Sequence, residues 1–455
     1  MLAIRTKASE ANLLLYCVST ARSQPRFVTM HDTSAPDRSP VRTDPAGPAA
    51  AAPAKERMTP RERRATASLA SIYGLRMLGM FIILPVFALY AETLPGGRDQ
   101  TLVGLALGAY GLTQALLQIP FGWASDRFGR KPTIVVGLLL FALGSFVAAW
   151  APTIGWTIAG RALQGAGAIS AAVIALTADL TRHEVRTRAM AAIGMTIGAT
   201  FALSLILGPL LKAWIGVPGI FALTGLLALG AILVLERRVP DPDPAHVHPR
   251  ESGLAAFARV LADGQLLRLN YGIFALHALL MALFVQVPLA LRDAGLAAES
   301  HWKVYLPVML GSVLLMLPAL RAADRPARGK AVFLGAVLVL GIGQAILAAS
   351  GTSLAVLVVG LVVFFAAFNL LEATLPALVS KYAPPAQKGT ATGVYSSVQF
   401  LGTFAGAAAG GLLSQHVGAV AVFGLGIALT VVWLAVSASM SAPPAYSSTY
   451  SMGET

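Results

Sequence analysis

From residue 68 onward the chain is a series of apolar stretches of about 20 residues, separated by short polar or basic segments. A helix of this length crosses the ~30 Å hydrocarbon core of a bilayer. Lipid offers no partner to backbone N–H and C=O groups, and the alternating segments of a β-barrel are absent from the sequence. The pattern predicts an all-α membrane protein with twelve transmembrane helices, at 68–91, 100–122, 132–151, 154–180, 189–212, 216–236, 266–291, 301–321, 330–350, 353–380, 388–412 and 418–440.

The polar segments divide the chain into two halves and two tails. Residues 1–67 are rich in Ala, Pro, Ser, Thr and Arg, which predicts a disordered cytoplasmic tail. An apolar patch at 12–18 is too short for a convincing signal peptide, and Met30 and Met58 are alternative starts. A cytoplasmic central loop at 237–265 separates an N-terminal six-helix half, 68–236, from a C-terminal half, 266–440, and residues 441–455 form a second cytoplasmic tail. Two halves of this kind predict pseudo-twofold symmetry around a midplane site.

Composition and charge support this class of protein. The chain has 455 residues, 56% of them hydrophobic and 12% charged, with a mean hydropathy of +0.70. This excludes disorder as the main state and disfavours a soluble enzyme. Lys and Arg number 34 against 21 Asp and Glu, but the excess is dispersed among loops, which argues against nucleic-acid binding. The single Cys17 excludes a disulfide framework and a cysteine metal cluster, and we expect no cofactor or metal.

The basic residues also predict the orientation. With the N-terminus inside, only Arg98, Lys212, Arg292 and Lys303 fall on the outer side. The positive-inside rule therefore places both termini in the cytoplasm, which corresponds to a multi-pass protein of the cell inner membrane.

The turn between helices 2 and 3 carries the most specific motif, Gly-x3-Asp-Arg-x-Gly-Arg-Lys, from Gly122 to Lys131. Gly122 permits close helix packing, Asp126 suits an Arg partner, and Gly129 allows a left-handed backbone. An arbitrary basic loop would only fix topology. These six positions closely resemble the helix 2–3 signature of the major facilitator superfamily, and the helix count, topology and central loop extend the resemblance over 68–440.

The resemblance implies a gate at this turn. Asp126 would meet the inner end of helix 11 in the outward-open state, and Arg130 would pair with Asp179 at the inner end of helix 4. The gate set consists of Gly122, Asp126, Arg127, Gly129, Arg130, Lys131 and Asp179. The corresponding turn of the second half, at 321–330, is a degraded echo of the motif.

Three ionisable residues inside the predicted helices are candidates for proton coupling: Arg161, His277 and Glu372. A charge at membrane depth is costly and usually faces a cavity or a partner. Arg161 lies in Arg-x-x-Gln-Gly, which resembles the helix 4 motif of proton-coupled family members, where the Arg is associated with proton transfer. His277 and Glu372 can change protonation when a cavity alternates between wet and dry. The alternatives are that Arg161 snorkels to the outer surface and that His277 is a neutral donor to a helix carbonyl.

Other polar residues are candidates for lining the substrate cavity, with interhelical packing as an equally good interpretation. They are Arg76, Gln114, Gln118, Gln164, Asn270, Asn369 and Gln399. Helix 5 carries Ser204, Gly208 and Pro209, which resemble the Gly-x3-Gly-Pro motif of antiporters in the superfamily. Ser204 replaces the first Gly and Lys212 stands where a Gly is expected, so a simple packing kink stays an alternative.

Two further runs, at 74–81 and 368–373, resemble YajR-type inner-membrane transporters. That type is known for a small soluble domain after helix 12. We do not expect this domain, because the sequence ends fifteen residues after Met440.

Together these features predict a secondary active transporter that works by alternating access. We expect proton-coupled antiport, and thus efflux, of a small hydrophobic or drug-like molecule, by a monomer whose partners are the bilayer, the substrate and protons. The alternative is a proton symporter or uniporter that takes up a small metabolite such as a sugar. A membrane enzyme would need a clustered nucleophile and base or metal ligands, and neither His-Glu-x-x-His nor Gly-x-Ser-x-Gly occurs in the sequence. A sensor would need a soluble output domain.

Overall fold

The structure, a computed structural model, describes residues 57–241, 254–323, 325, 328–384 and 387–441, without the side chains of 183, 187 and 254–256. The described residues form fourteen α-helices and one short 3-10 turn at Ala298–Ser300. The helices are α1 (Pro60–Phe81), α2 (Leu84–Ala91), α3 (Gln100–Phe128), α4 (Arg130–Ala149), α5 (Ile154–Ala166), α6 (Ser170–Asp179), α7 (His183–Arg238), α8 (Leu254–Ala262), α9 (Gly264–Asp293), α10 (Trp302–Ala323), α11 (Gly329–Ala348), α12 (Leu354–Tyr382), α13 (Lys388–His416) and α14 (Ala419–Ala438).

These helices make twelve membrane passes in two sets of six, which confirms the predicted fold class. The first pass consists of α1 and α2, and the fourth of α5 and α6. The long α7 holds the fifth and sixth passes, which meet at Gly216, where φ is 67° and a residue with a side chain would be strained. Ten stretches of the described chain are long and apolar enough to cross a membrane. Among them α7 counts once, and α13 is absent because it is rich in Gly, Ser, Thr and Gln.

The first helix begins eight residues before its predicted start at 68. The Thr59 hydroxyl accepts from the Glu62 backbone N–H at 3.2 Å, and the Glu62 carboxylate accepts from the Thr59 N–H at 2.8 Å. This capping box, followed by Pro60 in the first turn, starts the helix. Residues 60–67 are therefore helical, and assigning them to a disordered tail was wrong.

Two predicted helices are interrupted. The first pass breaks at 82–83, just before Pro85, which has no N–H for the helical ladder. The fourth pass, predicted as continuous over 154–180, breaks at 167–169. At this break α4 passes so closely that a Cβ on Gly167 would lie 2.2 Å from the Gly137 carbonyl oxygen. The missing side chain lets two backbones touch where the fourth pass changes direction.

The two halves pack on each other chiefly through α3 and α13. A Cβ on Gly104 would lie 2.2 Å from the Ala407 carbonyl oxygen, and one on Gly411 would lie 2.9 Å from the Gly104 Cα. Small residues thus allow these two helices to approach at backbone distance. Large exposed apolar side chains, such as Leu116, Val136 and Leu314, cover the outside of the bundle where lipid would contact it.

Several predicted segments fall outside the described residues. They are 1–56, most of the central loop (242–253), residues 324, 326 and 327 of the echo turn, and most of the C-terminal tail (442–455). At the described edges of the central loop, α7 ends at Arg238 and α9 begins at Gly264. Between them lies the short amphipathic helix α8.

Candidate transport site and gates

Arg130 is the centre of the signature turn between α3 and α4. Its Nε lies 3.0 Å from Asp179 Oδ2, its Nη1 donates to Ser125 Oγ at 3.0 Å, and it also pairs with Asp126. The side chains of Arg130 and Asp179 are 8% and 9% exposed, so this ion pair is largely shielded from solvent. The turn itself depends on Gly129, which has φ 98° and joins the two helices without strain.

The other members of the turn point in different directions. Lys131 Nζ lies 2.8 Å from Asp241 Oδ1, in the described start of the central loop. Arg127 stacks over the exposed rings of Trp123 and Phe128, at 5.4 and 5.8 Å, an arrangement typical of the membrane interface. A Cβ on Gly122 would meet only the Ala171 side chain at an ordinary 3.6 Å, so packing does not require glycine there in this conformation. We call this end of the helix bundle the basic end.

The polar contacts that join the two halves lie at the opposite end. Among the described residues there are three. Arg292 Nη1 binds the Glu92 carboxylate at 2.7 and 2.9 Å, Lys212 Nζ lies 3.6 Å from Glu299 Oε1, and the Gln415 side chain accepts from the Gln100 backbone N–H at 2.8 Å. At the basic end, no hydrogen bond or ion pair between described residues crosses from one half to the other. The polar contacts between the halves that involve described residues on both sides thus lie at the opposite end.

A buried polar cluster fills the first half around Arg76, which is 2% exposed. Its Nη2 donates to the Gly167 carbonyl at 2.9 Å and to Gln114 Oε1, and Nη1 lies 3.4 Å from Ser170 Oγ. The Gln114 amide in turn donates to Gln118 at 2.9 Å. Arg76 therefore binds the carbonyl exposed at the break of the fourth pass and ties three passes together.

Arg161 lies beside this cluster and is 1% exposed, so the snorkelling interpretation is wrong. Its Nη1 donates to Gln164 Oε1 at 2.9 Å, and Gln164 donates to Ser145 Oγ at 2.7 Å. The Tyr110 ring lies between the two arginines, with the Arg161 and Arg76 guanidinium carbons 5.0 and 5.7 Å from its centroid. Among the described residues, neither arginine has a carboxylate partner.

The second half holds the other two coupling candidates together. His277 lies near the middle of α9, and its Nε2 is 3.9 Å from Glu372 Oε2 of α12 and 2.8 Å from the Gln399 amide nitrogen of α13. The Glu372 side chain is 33% exposed and that of His277 8% exposed. Glu372 Oε2 accepts no hydrogen bond from the described residues. Arg161 belongs to the first half, so the three candidates do not form one cluster.

The remaining cavity candidates of the second half are dispersed. Asn369 donates to Ser312 Oγ of α10 at 3.0 Å and is half-buried. Asn270 is buried one heptad before His277 and makes no hydrogen bond to the His277 group among the described residues. These two residues lie around the ionisable pair rather than in it.

Sequence reasoning missed an aromatic cluster between the two halves. The Phe201 ring of α7 lies 6.3 Å from Phe284, 6.1 Å from Phe365 and 6.0 Å from Phe368, all in the second half. Phe368 also lies 6.1 Å from the His277 ring. The run at 364–368, with aromatic residues at i, i+1 and i+4, was the available signature, but it does not indicate which helix of the other half it would meet.

The helix 5 motif is a close-packing site. A Cβ on Gly208 would lie 2.7 Å from the Ile82 carbonyl oxygen and 2.8 Å from Pro85, at the break between α1 and α2. Ser204 donates to the Thr200 carbonyl within its own helix at 2.7 Å. The glycine therefore holds the fifth pass against the interrupted first pass.

No cluster of three or more His, Cys, Asp or Glu side chains that could hold a metal occurs within the described parts of the chain.

Comparisons with known proteins agree with this architecture. Residues 69–309 and 297–452 match the Major Facilitator Superfamily. The chain is 47% identical over 394 residues to the inner membrane transport protein YajR of Escherichia coli K12, covering 86% of each chain. It is 28% identical over 359 residues to the multidrug resistance protein MdtH of Aeromonas hydrophila, covering 75% of this chain and 85% of the relative.

Among solved structures, a bacterial homologue of the human lysosomal transporter Spinster, in an inward-facing and occupied conformation, superposes with a TM-score of 0.68. The match covers 85% of this chain and 98% of the other at 14% identity, which shows a shared fold.

Proposed function

Because the chain belongs to the Major Facilitator Superfamily, a family of secondary membrane transporters rather than enzymes, we propose that it is a proton-coupled antiporter of the inner membrane. The resemblance to YajR-type transporters is confirmed by the 47% identity. The relative with that identity is an inner membrane protein by name, and the distribution of basic residues favours the same membrane with both termini in the cytoplasm.

The contact between His277 and Glu372 carries the proton-coupling proposal. With the Gln399 amide nitrogen facing Nε2, the two neighbours of His277 Nε2 favour opposite protonation states. A bare Nε2 accepts from the Gln399 amide at 2.8 Å, whereas a protonated Nε2 would donate to Glu372, 3.9 Å away. Uptake or release of one proton would therefore change which helix, α12 or α13, His277 binds. A proton that moves one helix relative to another is what coupling to transport requires.

Alternating access is supported by the position of the contacts between the halves. The Glu92–Arg292 and Lys212–Glu299 pairs hold the opposite end together, while the gate turn pairs within its own half. With the basic end in the cytoplasm, this arrangement corresponds to an inward-facing state. In the outward-facing state Asp126 would leave its present position and meet the start of α13.

The substrate is proposed to be a small hydrophobic or drug-like molecule. The Phe201 cluster lies next to His277 and is buried in this conformation. It would present ring faces to an apolar group close to the proton site when the halves move apart. MdtH, a relative named for multidrug resistance, is in keeping with this class.

The test is transport by full-length protein reconstituted in vesicles with a pH-sensitive dye inside. An imposed pH gradient should drive a fluorescent apolar cation or dye against its own gradient in the wild type. Glu372→Gln and His277→Gln should abolish the dependence on the gradient. Thr374→Val is the matched control and should keep it, because Thr374 lies two residues from Glu372 and its hydroxyl donates to the Leu371 carbonyl of the same helix at 3.3 Å.

Two outcomes would contradict the proposal. Gradient-driven transport that is unchanged in Glu372→Gln would remove the proton assignment. Substrate movement in the same direction as the protons would instead establish symport, the alternative that the sequence left open.

A further inference from the structure

A basic cavity lies between the start of the first pass and the end of the sixth, apart from the polar clusters described above. It has a volume of about 400 Å³ and is lined by Pro60, Arg61, Arg64, Arg237, Arg238, Val239 and Pro240. The four arginines project from the first turns of α1 and the last turn of α7. We name this site the arginine pocket.

Within the described parts of the chain, no carboxylate pairs with the arginines of the pocket. None of the four guanidinium groups forms a hydrogen bond or an ion pair with another described residue, and all four side chains are exposed. Three described carboxylates lie close to the pocket in sequence. Glu236, beside Arg237, is exposed and forms no ion pair with a described residue, and the other two are engaged elsewhere. Glu62 binds Arg182, at 2.9 Å from Oε1 to Nε, and Asp241 binds Lys131 at 2.8 Å.

The sequence on either side of the pocket predicts that it lies at the boundary between the hydrocarbon and the water. Arg61 and Arg64 lie just before the apolar part of the first pass, and Arg237 and Arg238 follow the apolar part of the sixth after Glu236. At this depth the headgroup of a lipid whose acyl chains lie along the neighbouring helices would contact the guanidinium groups. Arginine binds phosphate through paired N–H donors, so four of them suit a phosphodiester.

We propose that the arginine pocket is a binding site for the headgroup of an anionic phospholipid. Four fixed positive charges of one sign, open towards the membrane surface, discriminate in favour of an anionic headgroup over a zwitterionic one. The site is separate from the polar clusters inside the bundle and does not depend on the proposed transport reaction.

The experiment uses the full-length protein, purified in detergent and freed of lipid, and titrated with phosphatidylglycerol or phosphatidylcholine. Wild type should bind phosphatidylglycerol more tightly. Each arginine at a membrane surface is worth roughly fivefold in binding of an anionic lipid. Four independent contributions of this size would multiply to roughly 600-fold, and neighbouring charges are not additive, so we set the expected loss for the fourfold variant Arg61→Gln, Arg64→Gln, Arg237→Gln, Arg238→Gln at no less than about 20-fold in affinity.

A matched control removes four positive charges from exposed residues predicted to lie on the same side of the membrane but outside the pocket. It consists of Arg63→Gln, Arg259→Gln, Arg321→Gln and Lys381→Gln. This control should lose less than about threefold, since dispersed charges act only through the screened field. Should the fourfold pocket variant fold poorly, the pairs Arg61→Gln/Arg64→Gln and Arg237→Gln/Arg238→Gln must each lose at least about fivefold.

Equal losses in the pocket variant and the control would overturn the proposal, because binding would then reflect net charge alone. Glycerol 3-phosphate provides the second arm. If this soluble anion competes with the lipid at equal concentration, the site takes free phosphate compounds and the lipid assignment is wrong. Lack of competition, together with loss in the pocket variant only, supports a lipid site.

Discussion

Glu92 and Arg292 join the two halves of the chain through a forked ion pair, with Arg292 Nη1 2.7 and 2.9 Å from the two carboxylate oxygens of Glu92. The two residues lie 200 positions apart in sequence, at the ends of the first and seventh passes. Since they belong to different halves, this pair must break whenever the halves separate at that end. It therefore contributes only to the conformation in which the end is closed.

The ion pair gives the first prediction. Glu92→Gln should shift the population towards the other facing by about 1.4- to fivefold, because a partly exposed ion pair contributes roughly 0.2–1 kcal/mol. Spin-label distances across the end, between cysteines introduced after Cys17→Ser, measure the shift. Asp293→Asn is the control, since Asp293 contacts Arg292 within the same half at 3.1 Å. An unchanged distance distribution in Glu92→Gln would show that the pair does not act as a latch.

The shielded pair in the gate turn gives a prediction about stability. Arg130→Ala leaves Asp179 without its partner at 9% exposure, and breaking a buried pair in this way costs about 3–5 kcal/mol. The thermal unfolding midpoint of the Arg130→Ala variant should therefore be clearly lower than that of the wild type. Asp126 is 38% exposed, so Asp126→Ala should cost at most about 1 kcal/mol. Similar losses in the two variants would mean that Arg130 is stabilised mainly by Asp126.

The same turn gives a prediction about transport. Asp126→Ala should fold but transport more slowly, because the turn would lose the carboxylate proposed to meet the start of α13 in the other facing. Initial rates in vesicles measure this, with Arg63→Ala as a control that removes an exposed charge from the same end. Rates equal to wild type would remove Asp126 from the gate.

Phe201 gives a prediction about leak. Its ring packs against Phe284 and Phe368 of the other half, and Phe368 contacts His277. Phe201→Ala should therefore open a wetted path and raise the uncoupled proton flux measured without substrate. Phe146→Ala is the control, since Phe146 stacks on Trp150 within the first half at 5.8 Å. Equal proton flux in both variants would show that the aromatic cluster does not seal the cavity.

Backbone contact between α3 and α13 gives a prediction about conformational equilibrium. Gly104→Leu cannot be accommodated, because its Cβ alone would lie 2.2 Å from the Ala407 carbonyl oxygen. The variant should favour the conformation in which α3 and α13 separate near Gly104, at the end of the bundle opposite the basic end. Labelling of cysteines introduced at that end measures the shift. Gly198→Leu is the control, with nothing within 4 Å of its Cβ. Unchanged labelling in Gly104→Leu would contradict this role of the contact.

The sequence predicts the number and approximate extent of the passes because a bilayer imposes one length and one kind of backbone hydrogen bonding on every crossing. It does not predict the breaks at 82–83 and 167–169. These depend on neighbours that are distant in sequence, such as Gly137 against Gly167. A local apolar pattern is the same whether the helix is continuous or interrupted.

In the candidate site, too, the sequence predicts individual residues but not which distant residues they contact. Motif resemblance assigned Arg130 and Asp179 to one gate, and the two side chains are in contact. Their role in gating stays a prediction. Membrane depth singled out Arg161, His277 and Glu372, but it did not predict that Arg161 would lie against the Tyr110 ring or that His277 and Glu372 would be neighbours. Phe201 carried no distinguishing feature in the sequence, because an aromatic residue on an apolar helix is ordinary until its partners are known.

The composition of α13 has a consequence for biogenesis. This helix is not among the stretches apolar enough to cross a membrane alone, and its partner α3 is synthesised nearly 300 residues earlier. When it leaves the ribosome, α13 gains little free energy from entering lipid. Its insertion therefore depends on α3 and α9, which are already in the membrane and can pack their glycine and alanine residues against it. Polypeptides cut short before α14, with or without α3, would therefore differ in whether the eleventh helix enters the bilayer at all.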